Sequence, residues 1–159
     1  MKFYSTSDQN YRVSFEEAVR QGLAPGGGLF MPEIIELLPE KFRKNLSSMT
    51  FNEIGFGVAS HFLKGAIPDH ELRKIIDHTI SFDAPLVEID KNIFALELFH
   101  GPTMAFKDFG ARFLSGLLGH FAKENNHHTG GNIRRYRQCC SKWIPERERN
   151  TGDCFISFR

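Results

Sequence analysis

The segment LFHGPTMAFKDFGARF, residues 98–113, decides how the rest of this 159-residue sequence is interpreted. The pair Gly101-Pro102 ends an apolar run over residues 93–99, and a helical pattern starts a few residues later. Lys107 stands at that helix start in apolar surroundings. Because such a lysine is a poor surface residue, the pattern predicts a buried and chemically active amine.

Two strands precede this helix start. Apolar runs at residues 86–89 and 93–99 predict the strands, and Asp90-Lys91-Asn92 between them predicts a hairpin turn. The helix itself is predicted over about residues 105–123. Its large apolar residues recur at helical spacing: Phe109, Phe113, Leu117 and Phe121.

Two capping boxes predict helices further upstream. Ser14 with Glu17, and Thr50 with Glu53, have the spacing at which each side chain bonds a backbone N–H of the other residue. Gly22 is expected to end the first helix. The second helix has an apolar face on neighbouring turns: Phe51, Ile54, Val58, Phe62 and Leu63.

Three further segments complete the first 80 residues. Residues 23–32 are glycine-rich and predict a loop, and residues 34–38 predict a short element that ends near Pro39. Residues 69–78 predict a helix whose inward residues are Leu72, Ile75 and Ile76. This part of the chain is therefore predicted to be mainly helical.

The composition changes after Asn126. All three cysteines and the only tryptophan lie beyond this residue, with seven lysine and arginine residues against three acidic ones. Fourteen of the sixteen phenylalanines precede it. Neither the helical nor the strand periodicity continues, so two different kinds of sequence are joined here.

The overall composition argues against several classes of protein. A net charge of +1 argues against a dedicated nucleic-acid binder. No window approaches the roughly 18 apolar residues of a membrane helix, and the N-terminus MKFYSTSD lacks the apolar core of a signal peptide. We therefore expect a cytoplasmic protein without nucleic-acid or membrane partners.

The family resemblance depends on three segments in order. Residues 97–108 read ELFHGPTMAFKD, residues 1–6 read MKFYST, and residues 22–32 read GLAPGGGLFMP. Together they closely resemble threonine synthase, a pyridoxal-phosphate enzyme, although Gly26 stands where that family usually has aspartate. The resemblance covers residues 1 to about 125.

The resemblance implies a reaction and a cofactor. Members of the family convert O-phospho-L-homoserine and water to L-threonine and phosphate with pyridoxal 5'-phosphate. Lys107 would form the internal Schiff base and carry the proton, while Phe106 and Asp108 would have supporting roles. No metal is implied, and the sequence does not indicate an oligomeric state.

The chemistry of the lysine is compatible with that role. Pyridoxal phosphate needs an amine that loses its proton, attacks the aldehyde and later moves a proton. His100, Thr103 and Asp108 could orient groups around Lys107. The alternative is an ordinary lysine whose stem packs on phenylalanines while its amine reaches water.

The implied fold is α/β and incomplete. Residues 1–80 would form the threonine synthase N-terminal domain, and residues 81–126 would begin a pyridoxal-phosphate catalytic domain of the tryptophan-synthase-β-like class. Residues 127–159 are expected to be an out-of-frame, disordered tail. Because the phosphate-cradling loop and most substrate contacts would be missing, we expect the chain to be inactive.

Codon arithmetic supports a frameshift near residue 126. The family continues Thr-Ser-Gly-Asp-Thr-Gly-Ser-Ala-Val-Ala-Asn-Gly-Phe, and residues 132–144 can be written with codons that encode this run one base later. Trp143 is the sharpest test, since its single codon followed by an isoleucine codon must give glycine in the shifted frame. The nucleotide sequence tests this prediction directly.

Other interpretations of the chain are possible. His127-His128 with Cys139-Cys140 lacks the cysteine spacing of structural zinc sites, and the basic run at residues 134–137 is short for a nucleic-acid contact. A different kind of function is a non-catalytic interaction domain built from the N-terminal helices. Concentration-dependent association would distinguish it from an enzyme fragment.

Overall fold

A computed structural model describes residues 1–126 of the chain. These residues form two compact units, of which the first is Met1–Ile76 and the second begins at Asp77. The fold is α/β, as predicted. The expectations for the tail over residues 127–159, including its disorder and its possible metal and nucleic-acid sites, lie outside the described residues.

A three-stranded antiparallel sheet forms the start of the first unit. Its strands are β1 (Lys2–Ser5), β2 (Arg12–Ser14) and β3 (Phe30–Pro32), and β1 lies in the centre. None of these strands was predicted, so the expectation of a mainly helical N-terminal part is incomplete.

The sheet brings together two of the segments that carry the family resemblance. Tyr4 lies opposite Met31, and Thr6 continues the ladder, because its N–H donates to the Leu29 carbonyl at 2.9 Å. The Leu29 N–H in turn donates to the Thr6 hydroxyl at 2.9 Å. Residues 1–6 and 22–32 are therefore structurally coupled.

The two predicted capping boxes are confirmed. Helix α1 (Phe15–Gln21) starts after Ser14 and ends at Gly22, and helix α3 (Phe51–Leu63) starts after Thr50. In both, the cap hydroxyl accepts from the backbone N–H three residues on, and the glutamate at that position accepts from the cap N–H. Two otherwise unpaired backbone donors are thereby satisfied at each helix start.

The prediction for residues 34–38 is wrong. These residues form neither helix nor strand, and Ile34, Ile35 and Leu37 are exposed. Regular structure resumes with a short helix that was not predicted, α2 (Glu40–Asn45), and a 3-10 turn at Leu46–Ser48. Proline at position 39 supplies no side-chain cap to α2, so the sequence has no clear start signal there.

Helix α4 (Asp69–Thr79) confirms the predicted inward face. Its residues Leu72, Ile75 and Ile76 are all buried. The helix begins in the first unit and ends in the second, where His78 and Thr79 lie.

A hairpin and a long helix follow in the second unit. Strands β4 (Leu86–Asp90) and β5 (Ile93–Leu96) pair antiparallel around the turn at Lys91 and Asn92, as predicted, although β5 is shorter than expected. Helix α5 (Lys107–Asn126) starts two residues later than predicted. Leu117, Leu118 and Phe121 form its buried face. No helix among the described residues is long and apolar enough to cross a membrane.

Candidate functional site

Lys107 is the first residue of α5 and its side chain is exposed. The expectation of a buried amine is therefore wrong for the described part of the chain. The physical reason is that the apolar neighbours along the chain do not cover it, since Met104 and Phe106 are themselves 78% and 72% exposed. The position at the helix start is nevertheless close to the predicted one.

Asp108 fixes the turn that leads into this helix. Its carboxylate is fully buried and accepts from the Thr103 N–H at 2.9 Å and from the Thr103 hydroxyl. The Asp108 N–H donates to the Ala105 carbonyl at 3.0 Å. A carboxylate in the first turn of a helix also interacts favourably with the helix dipole. Asp108 thus holds the segment before Lys107 against the helix start.

Gly101 makes this arrangement possible by lacking a side chain. A Cβ atom added at Gly101 would lie 2.7 Å from Phe82 Cζ and 2.8 Å from Asp108 Cβ, closer than such atoms can approach. The Gly101 carbonyl accepts from the Met104 N–H at 3.0 Å and closes a tight turn. Met104 has a left-handed backbone with a φ of 53°, which is uncommon outside glycine.

Arg112 anchors the next turn of α5. It is buried, and its Nε and Nη2 atoms donate to the His78 carbonyl at 3.1 and 2.6 Å. Nη2 also donates to the Ser81 hydroxyl at 3.1 Å. Since His78 lies in the last turn of α4, this guanidinium satisfies a carbonyl at the end of one helix from the start of another.

Aromatic packing completes the support of the helix start. The rings of Phe82 and Phe109 lie 4.5 Å apart, and the Arg112 guanidinium carbon is 6.0 Å from the centre of the Phe82 ring. The predicted groups around Lys107 are thus only partly brought together. Thr103 and Asp108 bond each other, whereas His100 is paired with Glu97 at 2.7 Å.

Sequence reasoning missed Arg112, although a signal for it exists. Arg112 lies four residues after Asp108, so both fall on one helix face, and both are buried. Charged residues on the side of a helix that packs need hydrogen-bond partners, which Asp108 finds in Thr103 and Arg112 finds in residues 78 and 81.

These residues fit one part of a pyridoxal-phosphate site. They supply an exposed lysine at the start of a helix whose first turns are held in place by the hydrogen bonds of Asp108 and Arg112. Met104 and Phe106 can pack against a ring but, being apolar, cannot neutralise a phosphate. Within residues 1–122, whose side chains the structure describes, no group of three or more histidine, cysteine or acidic residues could hold a metal ion.

Comparison with known protein families identifies the first part of the chain. Residues 2–80 match the family described as threonine synthase N terminus. A curated threonine synthase from Haemophilus influenzae is 39% identical over 118 residues, which are 74% of this chain and 27% of the relative. The chain therefore spans less than a third of the length of the curated relatives it matches.

Solved threonine synthase structures also superpose on this part of the chain. A threonine synthase from Escherichia coli superposes with a TM-score of 0.73 at 37% identity, over 77% of this chain and 28% of the other. A PLP-bound threonine synthase from Brucella melitensis superposes with a TM-score of 0.74 at 30% identity, over 79% and 28%.

Proposed function

We propose that Lys107 is the pyridoxal-phosphate-binding lysine of this chain, which belongs through its N-terminal part to the threonine synthase family. The observation that carries the proposal is the position of Lys107, an exposed lysine, as the first residue of α5. The PLP-bound relative from Brucella melitensis supports the choice of cofactor.

The support around Lys107 gives the proposal a physical basis. Pyridoxal phosphate, when bound, supplies an aldehyde and an electron sink. Lys107 would hold it covalently and move a proton, while Asp108 keeps the helix start in place through Thr103. We assign Phe106 a contact with the cofactor ring, since it is exposed next to the amine.

The reaction we propose for the complete family site is the conversion of O-phospho-L-homoserine and water to L-threonine and phosphate. For this chain alone we propose that the reaction does not proceed. The exposure of Lys107 supports this, because proton transfer and electrostatic stabilisation both depend on a site from which water is excluded.

We also propose the domain division given by the sequence, with residues 1–80 as the N-terminal domain and residues 81–126 as the start of the cofactor domain. Support comes from the family match, which ends at residue 80.

Reductive trapping tests the role of Lys107. The chain is mixed with pyridoxal phosphate, reduced with borohydride and analysed by peptide mass spectrometry. We expect weak, sub-stoichiometric labelling at position 107 that is lost in Lys107→Ala. Lys91→Ala is the matched control, because Lys91 is also an exposed lysine of the second unit. Equal labelling of both lysines would contradict the assignment, and threonine formation would contradict inactivity.

A non-catalytic interaction domain is the second candidate. It is favoured by one observation, the exposure of Ile34, Ile35 and Leu37 in the first unit at 63%, 66% and 82%. These residues lie between β3 and α2 and not on the helices. Light scattering over a concentration series tests it, and a defined stoichiometry that Leu37→Lys abolishes would favour this candidate.

A further inference from the structure

A buried arginine follows Lys107 on the same helix. Arg112 is 7% exposed, and taking a guanidinium out of water is costly unless its donors find acceptors. An apolar side chain could fill the same space without that cost. A guanidinium at this position therefore points to a geometric requirement, because its planar group fixes the direction as well as the length of each hydrogen bond.

The hydrogen bonds of Arg112 orient α5 against the segment at the end of α4. Nε and Nη2 donate to the His78 carbonyl at 3.1 and 2.6 Å, and Nη2 also donates to the Ser81 hydroxyl at 3.1 Å. Two donors on one carbonyl and a further bond to another residue define an orientation, which a single hydrogen bond would not. Residues 78–82 are thereby held in one position along the second turn of α5.

Phe82, the next residue, connects this anchor to the turn before Lys107. Its ring lies 4.5 Å from the ring of Phe109, and the Arg112 guanidinium carbon is 6.0 Å from its centre. The same ring lies against Gly101, where an added Cβ atom would come within 2.7 Å of Phe82 Cζ. The ring therefore contacts both the helix and the glycine at which the turn starts.

The backbone that leads into Lys107 is supported at both ends. At one end the Phe82 ring lies against Gly101. At the other end the Asp108 carboxylate, on α5, accepts from a backbone N–H of the turn at 2.9 Å. Arg112 joins the two supports, since it belongs to α5 and binds the segment that carries Phe82.

We propose that Arg112 is a positioning residue for Lys107. It acts through residues 78–82 and Gly101 and does not touch the cofactor; it fixes the turn so that the amine meets the aldehyde of pyridoxal phosphate from one direction. A displacement of about 1 Å at a reacting group can lower a rate by about a hundredfold, so a residue away from the amine can control its reaction. This inference deepens the proposed function and rests on it, because it assumes that Lys107 binds the cofactor.

Reductive labelling of the full chain with pyridoxal phosphate and borohydride tests the proposal. Peptide mass spectrometry gives the ratio of labelling at Lys107 to labelling at Lys91 in the same molecule. We expect Arg112→Met to lower this ratio by about threefold or more. Arg112→Lys should not restore it, because an ammonium cannot reproduce the planar fork that binds the carbonyl and the hydroxyl together.

Arg73→Met is the matched control. The Arg73 guanidinium carbon also lies over a phenylalanine ring, 4.0 Å from the centre of Phe56, but in the first unit. Because this arginine has no part in the turn before Lys107, the labelling ratio should stay at the value of the unaltered chain.

Hydrogen exchange measured by NMR provides a readout that needs no cofactor. In Arg112→Met the N–H groups of Thr103 and Met104, which bond within the turn, should exchange about tenfold faster, whereas those of residues 116–122 on the same helix should not change. Phe82→Leu keeps the acceptors of Arg112 but removes the ring, so it should have the same effect. This variant also decides the matter if circular dichroism shows that Arg112→Met does not fold.

Two results would overturn the inference while leaving the proposed function standing. One is a preference for Lys107 over Lys91 that both Arg112→Met and Phe82→Leu leave intact. The other is faster exchange spread evenly over the turn and the helix, which would mean that Arg112 affects only the stability of the unit. Equal labelling of the two lysines in the unaltered chain would instead contradict the proposed function, and with it the role of Arg112.

Discussion

Gly101 and Asp108 set the geometry of the turn before Lys107 at the scale of single residues. We expect Gly101→Ala to lower the free energy of unfolding by about 1–3 kcal/mol, since its methyl group would overlap Phe82 and Asp108. Urea denaturation followed by circular dichroism measures the change. Gly110→Ala is the control. It meets no atom within 4 Å and is expected to be neutral or stabilising, because alanine favours a helix.

Asp108→Asn tests the polar half of the same turn. The substitution keeps the size of the side chain but replaces a charged acceptor of two Thr103 hydrogen bonds with a neutral amide. We expect a loss of about 1–3 kcal/mol in the free energy of unfolding. Asp90→Asn changes an exposed aspartate in the same unit and should shift stability by less than about 0.5 kcal/mol. Equal losses in the free energy of unfolding of the two variants would show that stability does not depend specifically on the Asp108 carboxylate.

The sequence predicts the position of Lys107 but not its surroundings. Position follows from local signals, because a glycine-proline pair and a helical period need no tertiary context. Exposure depends on which other elements cover a side chain, and no local pattern contains that information. The Thr103–Asp108 hydrogen bond could be anticipated, because both residues were predicted to orient groups around Lys107. Arg112 was missed because its partners at residues 78 and 81 are far away in the sequence.

The two capping boxes allow a pH prediction at the scale of elements. Hydrogen bonds from the backbone N–H and then from the hydroxyl of Thr50 lower the pKa of Glu53, and the same two groups of Ser14 lower the pKa of Glu17; the alanine variants remove the hydroxyl bond. Both contributions are therefore complete above the ordinary carboxyl pKa and are lost as the pH falls through the lower pKa of the folded state. Thr50→Ala should raise the pKa of Glu53 alone, and Ser14→Ala that of Glu17 alone. An NMR titration of the two carboxyls measures this, and each variant serves as the control for the other.

The long helices were predictable, whereas the short strands of the first sheet were not. Helices α3, α4 and α5 carry apolar residues at helical spacing over three or more turns, so their sequences alone specify them. Strands β1 and β3 have four and three residues and pair across more than twenty positions. Unlike β4 and β5, these strands are not joined by an adjacent turn that marks a hairpin, and their stability comes from pairing between distant segments.

The weak cofactor binding that we propose has a consequence for the stability of the whole molecule. A ligand that binds only the folded state stabilises it by about 2.7 kcal/mol when present at a hundred times its Kd. We expect pyridoxal phosphate to leave the Tm of this chain unchanged at concentrations that saturate a complete relative. Differential scanning calorimetry with and without cofactor measures this, with the Escherichia coli enzyme as the positive control. A rise in Tm that Lys107→Ala removes would contradict weak binding.

The turn before Lys107 is assembled from a short stretch of chain. Every contact described for it, from the His78 carbonyl to Arg112, joins residues at most 34 positions apart. Structures of low contact order form early, and domains form in order of synthesis on the ribosome. We therefore expect the turn before Lys107 to take its final shape during translation. In a full-length relative, the same turn would form before the later part of the chain has been made.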